Sequence, residues 1–390
     1  MLYSLMNKDV EVSRLDIGDD GVITGLSSVS SPEHMPVGTM PQRRADVIQL
    51  RNWWHNRCIP VTRDGAREFL ERAGLSNTSS LLTRSYGLSL SDQYWIRPVD
   101  SSLGWGSVNF FENPFTEDVG NLLFGRPISG EIDLASPDNT SDGILRKRWA
   151  IVDGRRCLIK SGTEPFHQEP VNEAVATMIM EAQGIPCAHY DQIWVDDVPC
   201  SICDCFVTPQ TELVSAMRIV DAYGLPSDSK RDAYESACAE IGADIGLAMA
   251  QQDFIDYMMM NGDRHPGNYG LTRDADTLEW NGPAPVFDTG TSLMCRRATT
   301  AIPKAVPSGT SDVWAERLFH SDLDWLDVDA LHRSIDDASK IIRSTAARLG
   351  GEGFDDARAD ALIGVLRSRA EGLEDCSHNE GKSPAVARRG

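Results

Sequence analysis

The order of hydrophobic patterns between residues 143 and 207 restricts the possible folds of this chain more than any other feature. Two short strand-like runs come first, a helical pattern follows over residues 169–183, and two more strand-like runs come after it. Because the pattern beyond residue 211 is mainly helical, we predict a strand-rich segment with one helix, followed by a helical segment. The four predicted strands are Arg148–Val152, Arg156–Lys160, Tyr190–Val195 and Ser201–Val207.

The length of the chain predicts more than one folding unit, because 390 residues are too many for a single core of ordinary size. The fold class is predicted to be α+β. Its expected parts are a small N-terminal α/β extension, the strand-rich segment, the helical segment and a polar, disordered tail. These parts span residues 1–120, 121–210, 211–375 and 376–390.

Several further elements are predicted from periodicity and turn residues. In the extension, strand-like runs lie within residues 2–27, a double Trp at 53 and 54 is expected in the core, and residues 76–130 are expected to be irregular connectors with short helices. One long helix is predicted from Ile241 to Met259. The other predicted helices are 44–57, 64–73, 328–349 and 355–374.

Charge and composition exclude some classes of partner. The 37 basic and 58 acidic residues give a formal charge of −21, which repels phosphate backbones, so direct nucleic-acid binding is not expected. No apolar stretch approaches the length that spans a bilayer, and the first residues lack the basic and apolar regions of a signal peptide. We therefore expect no membrane partner.

The nine cysteines are scattered and odd in number, which is typical of the reducing cytoplasm rather than of a disulfide framework. Cys200, Cys203 and Cys205 form the one tight cluster. A structural metal site would need a second pair of ligands at a matching spacing, so these three are predicted to be buried thiols on a strand.

Two short motifs carry the chemistry. The first runs from Asn261 to Asn268 and contains Asp263, Arg264 and His265, and Asp288 follows after a short hairpin. Asp263 is the candidate to orient an attacking hydroxyl, with His265 fixing it or contacting the transferred phosphate and Arg264 pairing with a nearby acid or loop. Asn268 and Asp288 offer the oxygen atoms that Mg²⁺ prefers, so together the motifs predict phosphoryl transfer from ATP.

Upstream residues complete a nucleotide site. Lys160 ends a predicted strand, where it can reach the phosphates, and Glu173 on the next helix is the best acid to hold it, with Glu169 as the alternative. The segment around Ser141 and Gly143 occupies the place of a phosphate-covering loop. Residues 204–208, which include Phe206, occupy the place of a hinge that pairs with adenine, and residues 295–312 that of an activation segment.

The motif Asn261 to Asn268, followed by Pro285 to Leu293, resembles the kinase domain of HipA-like serine/threonine kinases, over roughly residues 120–375. That family shares the Asp-Arg-His order with phosphatidylinositol 3/4-kinases. The resemblance implies a bilobed protein-kinase-like fold, with a strand-rich N-lobe and a mainly helical C-lobe. It further implies a protein substrate, a toxin role, autophosphorylation of a loop Ser such as Ser141 and a small DNA-binding antitoxin as partner.

Two alternatives stay open. The string Gly262 to Asn268 is also similar to small-molecule phosphotransferases of the aminoglycoside or choline kinase type, and the identity of the phosphate acceptor separates these from a protein kinase. An ATP-binding regulatory pseudokinase is the alternative from another class. The joint presence of the predicted base, both metal ligands and Lys160 favours an enzyme.

Overall fold

The computed structural model describes residues 1–41, 44–75, 77–141, 143–302, 313–318, 321–351 and 353–379. The chain forms two compact units, and each is assembled from several stretches of sequence. The first unit contains residues 1–161, 202–245 and 265–285. The second unit contains residues 162–201, 246–264 and 286–390.

An antiparallel sheet of four strands with the order β3-β2-β1-β4 opens the first unit. Helix α1 follows Asp46, whose carboxylate accepts the N–H groups of residues 48 and 49 and so caps the helix. The core that this helix shares with the sheet contains Trp53 and Trp54, which confirms the predicted packing of the double Trp. The elements are β1 (Leu2–Asn7), β2 (Val10–Ile17), β3 (Ile23–Val29), α1 (Val47–His55) and β4 (Tyr94–Pro98).

Residues 76–130 contain the short helices that were predicted, but the expectation of irregular structure alone is wrong, because β4 lies among them. Its aromatic and β-branched run, Tyr94 to Ile96, favours a strand. The strand pairs with β1, about ninety residues earlier, and a local pattern does not reveal such a partner. The helices of this region are α3 (Ser79–Arg84), α4 (Trp105–Val108) and α5 (Asp118–Leu123), and α2 (Ala66–Ala73) precedes it.

The predicted order of strand, strand, helix, strand, strand is confirmed, and the four strands form a sheet of order β5-β6-β8-β7. The last strand begins at Val198, three residues before the predicted start. Cys200 and Cys203 are buried on this strand, as predicted, and form no disulfide, and Cys205 follows its end half-buried. The elements are β5 (Lys147–Val152), β6 (Arg155–Ser161), α6 (Glu169–Ala182), β7 (Tyr190–Val195) and β8 (Val198–Asp204).

A second sheet of the first unit, of order β11-β10-β9, includes the predicted hairpin that precedes Asp288. The predicted helix from Ile241 onward is wrong in its first five residues. Helix α8 ends at Glu240, and Gly242 has a φ of 72°, in the left-handed region that glycine adopts readily. A new helix therefore begins only at Gly246. The elements are β9 (Thr211–Ser215), α7 (Ala216–Tyr223), α8 (Lys230–Glu240), β10 (Gly270–Asp274) and β11 (Trp280–Pro283).

The core of the second unit is built mainly from α6 and from four helices that begin after residue 245. Helix α11 has the predicted bounds, and its buried residues recur every three or four positions from Leu331 to Ala346. Helix α12 continues to Asn379, four residues into the predicted tail. The rest of that tail, residues 380–390, lies outside the described residues. Residues 303–312 of the predicted activation segment also lie outside them. The helices are α9 (Gly246–Met259), α10 (Val313–Leu318), α11 (Val328–Leu349) and α12 (Asp356–Asn379).

None of the helices in the described ranges combines the length and the apolar character that crossing a membrane requires.

Asp138 of the first unit gives the stability of the protein a pH dependence. Its carboxyl group is fully buried, and it accepts hydrogen bonds from the Trp149 amide at 2.9 Å and the Ser136 hydroxyl at 3.0 Å. Burial raises the pKa of Asp138 to about 7, against the opposing effect of these hydrogen bonds. The folded protein therefore keeps a proton that the unfolded chain releases above about pH 4, so this group's contribution to stability declines as pH rises towards 7.

Replacing Asp138 with Asn is expected to remove this decline, because an amide does not ionise. Relative to the wild type, the variant gains stability between pH 5 and pH 8, by at most about 1.4 kcal/mol for each pH unit below the folded pKa. Urea unfolding of both proteins at the two pH values measures the effect. An equal difference between the two proteins at pH 5 and pH 8 contradicts the prediction.

Candidate active site

The end of α9 presents Asp263 on a rigid loop in the second unit. Met260 has a φ of 48°, and the N–H of Asn261 donates to the carbonyl of Asp256 at 3.0 Å, which closes the helix with a left-handed cap. The side-chain oxygen of Asn261 accepts the N–H of Asp263 at 3.0 Å, and its carbonyl accepts the indole N–H of Trp314 at 2.8 Å. The backbone of Asp263 is thus held while its side chain is exposed.

Arg264 connects the two motifs. Its guanidinium donates to both oxygens of Asp256, at 3.0–3.2 Å, and donates to the carbonyl of Phe287 at 2.7 Å. Both side chains of the ion pair are only about one-tenth exposed. Burial opposes the charge of Arg264 more than any one neighbour favours it. The attraction and hydrogen bonds of Asp256, with a contribution from Asp288, together outweigh burial and hold the pKa of Arg264 above its ordinary value. The predicted pairing of Arg264 with a nearby acid is confirmed.

Asp288 follows Phe287 with a φ of 56°, a backbone conformation that is costly for a residue with a Cβ. The next residue, Thr289, is buried, and its hydroxyl has no hydrogen-bond partner within the described part of the chain. Buried polar groups in native structures usually have such a partner. An unsatisfied hydroxyl beside a predicted metal ligand fits the oxygen shell of a bound Mg²⁺.

Gly290 lets the loop of Asp288 approach α6 closely. A Cβ at this position would lie 3.3 Å from Cβ of Glu169 and 3.4 Å from Cγ of Glu173. Glu173 itself is buried and accepts a hydrogen bond from the hydroxyl of Ser201. Four of the predicted site residues, Glu173, Asp263, Arg264 and Asp288, therefore belong to the second unit, where the loop of Asp288 lies against α6 and is bonded to the loop of Asp263.

Lys160 lies in the first unit beside a second lysine. It is the register partner of Lys147 in the antiparallel pair of β5 and β6, and both residues are more than nine-tenths buried. Directly opposed residues of an antiparallel pair point to the same face of the sheet. The neighbouring Arg148 points to the other face and pairs with Glu117 at 2.6 Å. One face of this hairpin therefore carries two ammonium groups, a suitable partner for phosphate oxygens.

Ser141 and Gly143 are held by Arg63 from an earlier part of the first unit. The guanidinium of Arg63 donates to the Ser141 hydroxyl at 2.7 Å and to the Gly143 carbonyl at 2.8 Å, and the Ser141 hydroxyl donates to the carbonyl of Asp138 at 2.9 Å. A Cβ at Gly143 would lie 2.6 Å from Nζ of Lys147. This segment therefore adjoins the paired lysines, as expected of a phosphate-covering loop.

The remaining predicted residues of the first unit are His265, Asn268 and Phe206. Nδ1 of the exposed His265 accepts the N–H of Gly267 at 3.1 Å, so the ring proton lies on Nε2 when the ring is neutral. Asn268 is buried, and its N–H donates to the carbonyl of His265 at 2.8 Å. Phe206 follows β8 and packs half-buried against an aromatic cluster of the same unit.

The division between the two units falls inside the first motif, between Arg264 and His265. Among the described side chains, no three from His, Cys, Asp and Glu form a group that could hold a metal ion. The predicted convergence of Asp263, Asn268 and Asp288 on Mg²⁺ stays a prediction. Its donor set of carboxylate and amide oxygens has the chemistry that this cation prefers.

Sequence reasoning did not identify Asp256, and it did not predict that Lys147 lies opposite Lys160. A signal for Asp256 exists, because it is one of only two carboxylates in the otherwise largely apolar α9. A buried charge on such a helix requires a partner, and Arg264 is the nearest cation along the sequence. The pairing of Lys147 with Lys160 follows from the predicted hairpin once its register is known.

Comparisons with known proteins agree with this geometry at the level of the fold. No protein-family model matches the sequence, and no curated protein matches it. A chain from the Shewanella oneidensis MR-1 toxin–antitoxin complex of HipA, HipB and operator DNA aligns over 98% of this chain and 100% of that one, with a TM-score of 0.57 and 13% identity. The Helicobacter pylori proinflammatory kinase CtkA aligns over 60% of this chain and 91% of its own, with a TM-score of 0.44 and 19% identity. The Shewanella alignment shows that this chain shares the fold of that chain.

Proposed function

We propose that the chain is an ATP- and Mg²⁺-dependent serine/threonine protein kinase of the HipA-like type. The observation that carries the proposal is the guanidinium of Arg264, which donates to the carbonyl of Phe287 and so joins the loop of Asp263 to the residue before Asp288. A phosphotransferase needs its hydroxyl-orienting acid and its metal-binding acid on loops fixed to each other. A single buried cation fixes both loops here.

The ATP part of the proposal rests on residues of the first unit. Lys147 and Lys160 place two positive charges on one face of a hairpin, next to the backbone of Gly143. Bound Mg²⁺ would neutralise charge on the phosphates and align them, with Asp288 and Asn268 as its protein ligands. Asp263 would accept the proton of the attacking hydroxyl.

The acceptor is proposed to be a protein because the fold is that of HipA-like kinases. The test is Mg²⁺-dependent transfer of labelled γ-phosphate from ATP by the purified chain, offered proteins, an aminoglycoside and choline in separate reactions. Label in protein, with phosphoserine or phosphothreonine found by mass spectrometry, supports the proposal. Label in a small molecule alone supports the small-molecule alternative, and ATP binding without any transfer supports the pseudokinase alternative.

Autophosphorylation at Ser141 belongs to the same proposal. Its hydroxyl is buried and hydrogen-bonded to Arg63, so the segment must leave Arg63 before the hydroxyl can react. A DNA-binding partner is also proposed, because the Shewanella protein of the same fold occurs in a complex with HipB and operator DNA. Mass spectrometry of the incubated protein and co-purification with a neighbouring gene product test these two points.

Replacing Lys160 with Met is expected to weaken MgATP binding by roughly 10- to 100-fold, since it removes a charge-assisted hydrogen bond to phosphate. Lys147→Met should weaken binding in the same direction. Calorimetric titration with a non-hydrolysable ATP analogue measures both effects. Lys230→Met is the matched control, because Lys230 is an exposed lysine of the same unit. Wild-type affinity in the Lys160 variant contradicts the prediction.

A further inference from the structure

Three buried polar side chains of the second unit, Gln168, Asn172 and Arg358, contact the backbone that follows Asp288. Each is no more than 1% exposed. Gln168 immediately precedes α6, Asn172 lies in its first turns, and Arg358 lies near the start of α12. Neither motif of the candidate active site contains any of them.

Asn172 bonds most directly to the loop of Asp288. Its amide nitrogen donates to the carbonyls of Gly290 and Ser292, at 2.8 Å each. Both partners are acceptors, which fixes the orientation of the amide, since only the NH₂ group can donate. Asn172 is next to Glu173 in sequence, so the same turn of α6 carries the predicted partner of the ATP lysine and the residue that bonds to the loop.

Gln168 and Arg358 extend these contacts. The amide nitrogen of Gln168 donates to Oδ1 of Asn172 at 3.1 Å and to the carbonyl of Leu293 at 3.2 Å. Nε of Arg358 donates to Oε1 of Gln168 at 2.7 Å, while its other nitrogens donate to the carbonyls of Cys295 and Arg297 at 3.1 and 3.0 Å. One continuous hydrogen-bonded chain thus follows the backbone from residue 290 to residue 297.

The backbone in question adopts conformations that need such support. Asp288, Leu293 and Met294 all have positive φ, at 56°, 48° and 52°, although none is glycine. Such conformations persist where surrounding contacts determine them, and they concentrate at functional sites. Relaxation of φ at Asp288 would redirect its carboxylate, so the hydrogen bonds that hold the loop also determine where a metal ligand points.

We propose that Asn172, supported by Gln168 and Arg358, is a positioning residue that holds the loop of Asp288 in its metal-binding conformation. The metal-binding part of this inference rests on the proposed function. The hydrogen bonds that hold the loop do not depend on it. These residues would act through the loop of Asp288, whose backbone their side chains contact. In this proposal the start of α6 has two roles: Glu173 pairs with the ATP lysine, and Asn172 holds the loop of Asp288.

The test compares Asn172→Leu and the volume-preserving Asn172→Asp, which both lack the amide donor, with the control Thr345→Val. Thr345 is an equally buried residue of the second unit, and its hydroxyl bonds to Gln192 on β7. Hydrogen exchange followed by mass spectrometry, without nucleotide, reports on residues 288–297. The Mg²⁺ concentration that gives half-maximal ATP turnover reports on the metal site.

We expect amide exchange of residues 288–297 to accelerate by about tenfold or more in the Asn172 variants and to stay at the wild-type rate in the control. The half-saturating Mg²⁺ concentration should rise by roughly 10- to 100-fold. If both Asn172 variants exchange at the wild-type rate, Asn172 does not hold the loop of Asp288. If exchange is faster but the Mg²⁺ response is unchanged, the positioning role is wrong. If the wild-type protein shows no ATP turnover, the proposed function and this positioning role are both wrong. The exchange measurement still decides whether Asn172 holds the loop of Asp288.

Discussion

Replacing Asp263 with Asn is expected to reduce phosphoryl transfer by roughly 10²- to 10⁴-fold, the usual contribution of a general base. The acid is exposed at the end of a loop whose backbone is held by Asn261, Trp314 and the cap of α9, so the fold does not depend on its charge. MgATP affinity should change little, because Lys147, Lys160 and the metal ligands bind the phosphates in the proposed site. Turnover and analogue titration together measure the two quantities.

Asp329→Asn serves as the control for Asp263→Asn, because Asp329 is an exposed acid on α11 of the same unit. The control should retain wild-type turnover, and both variants should melt at the wild-type temperature. Transfer by the Asp263 variant at more than about a tenth of the wild-type rate would contradict a role as base. Such a result would favour a mechanism in which positioning and Mg²⁺ alone activate the acceptor.

The sequence predicts best those elements whose signals are local. Helix α11 has its predicted bounds because Asp327 caps its start, Gly350 follows its end with a φ of 57°, and apolar residues form one stripe between them. The break between α8 and α9 is not predicted because Ile241 and Ile245 keep the helical spacing on either side of Gly242, whose positive φ lies within the break. Periodicity does not register a single left-handed residue.

The candidate site shows the same limit. Its charged and metal-binding residues could be recognised because the chemistry requires particular residue types at short spacings in two motifs. The side chains that hold those motifs were not recognisable. Asn172 bonds to a carbonyl 118 residues away, and Arg358 bonds to Gln168 across 190 residues. Such pairs are determined by how helices pack, and their residue types are common in polar surface positions as well.

Replacing Arg264 with Met is expected to destabilise the protein by about 3–5 kcal/mol, the usual cost of leaving one member of a buried ion pair alone. The carboxylate of Asp256 is about one-tenth exposed, and of the side-chain donors that the described residues give it, the amide of Asn261, at 2.8 Å, would remain. Urea unfolding measures the loss. The exposed pair of Arg367 and Asp336 provides the control, because Arg367→Met should cost less than about 1 kcal/mol.

The double variant Arg264→Met, Asp256→Leu separates stability from function. Removing both charges leaves no unpaired ion, so most of the stability should return, since apolar replacements of buried pairs are often neutral. Phosphoryl transfer should not return, because the carbonyl of Phe287 still lacks the donor that joins the loops of Asp263 and Asp288. If the double variant recovers activity along with stability, Arg264 is needed only to neutralise Asp256. If it recovers stability alone, the ion pair serves to align the two loops. Apolar residues would then replace the pair without loss of stability, so stability could not be the reason for its presence.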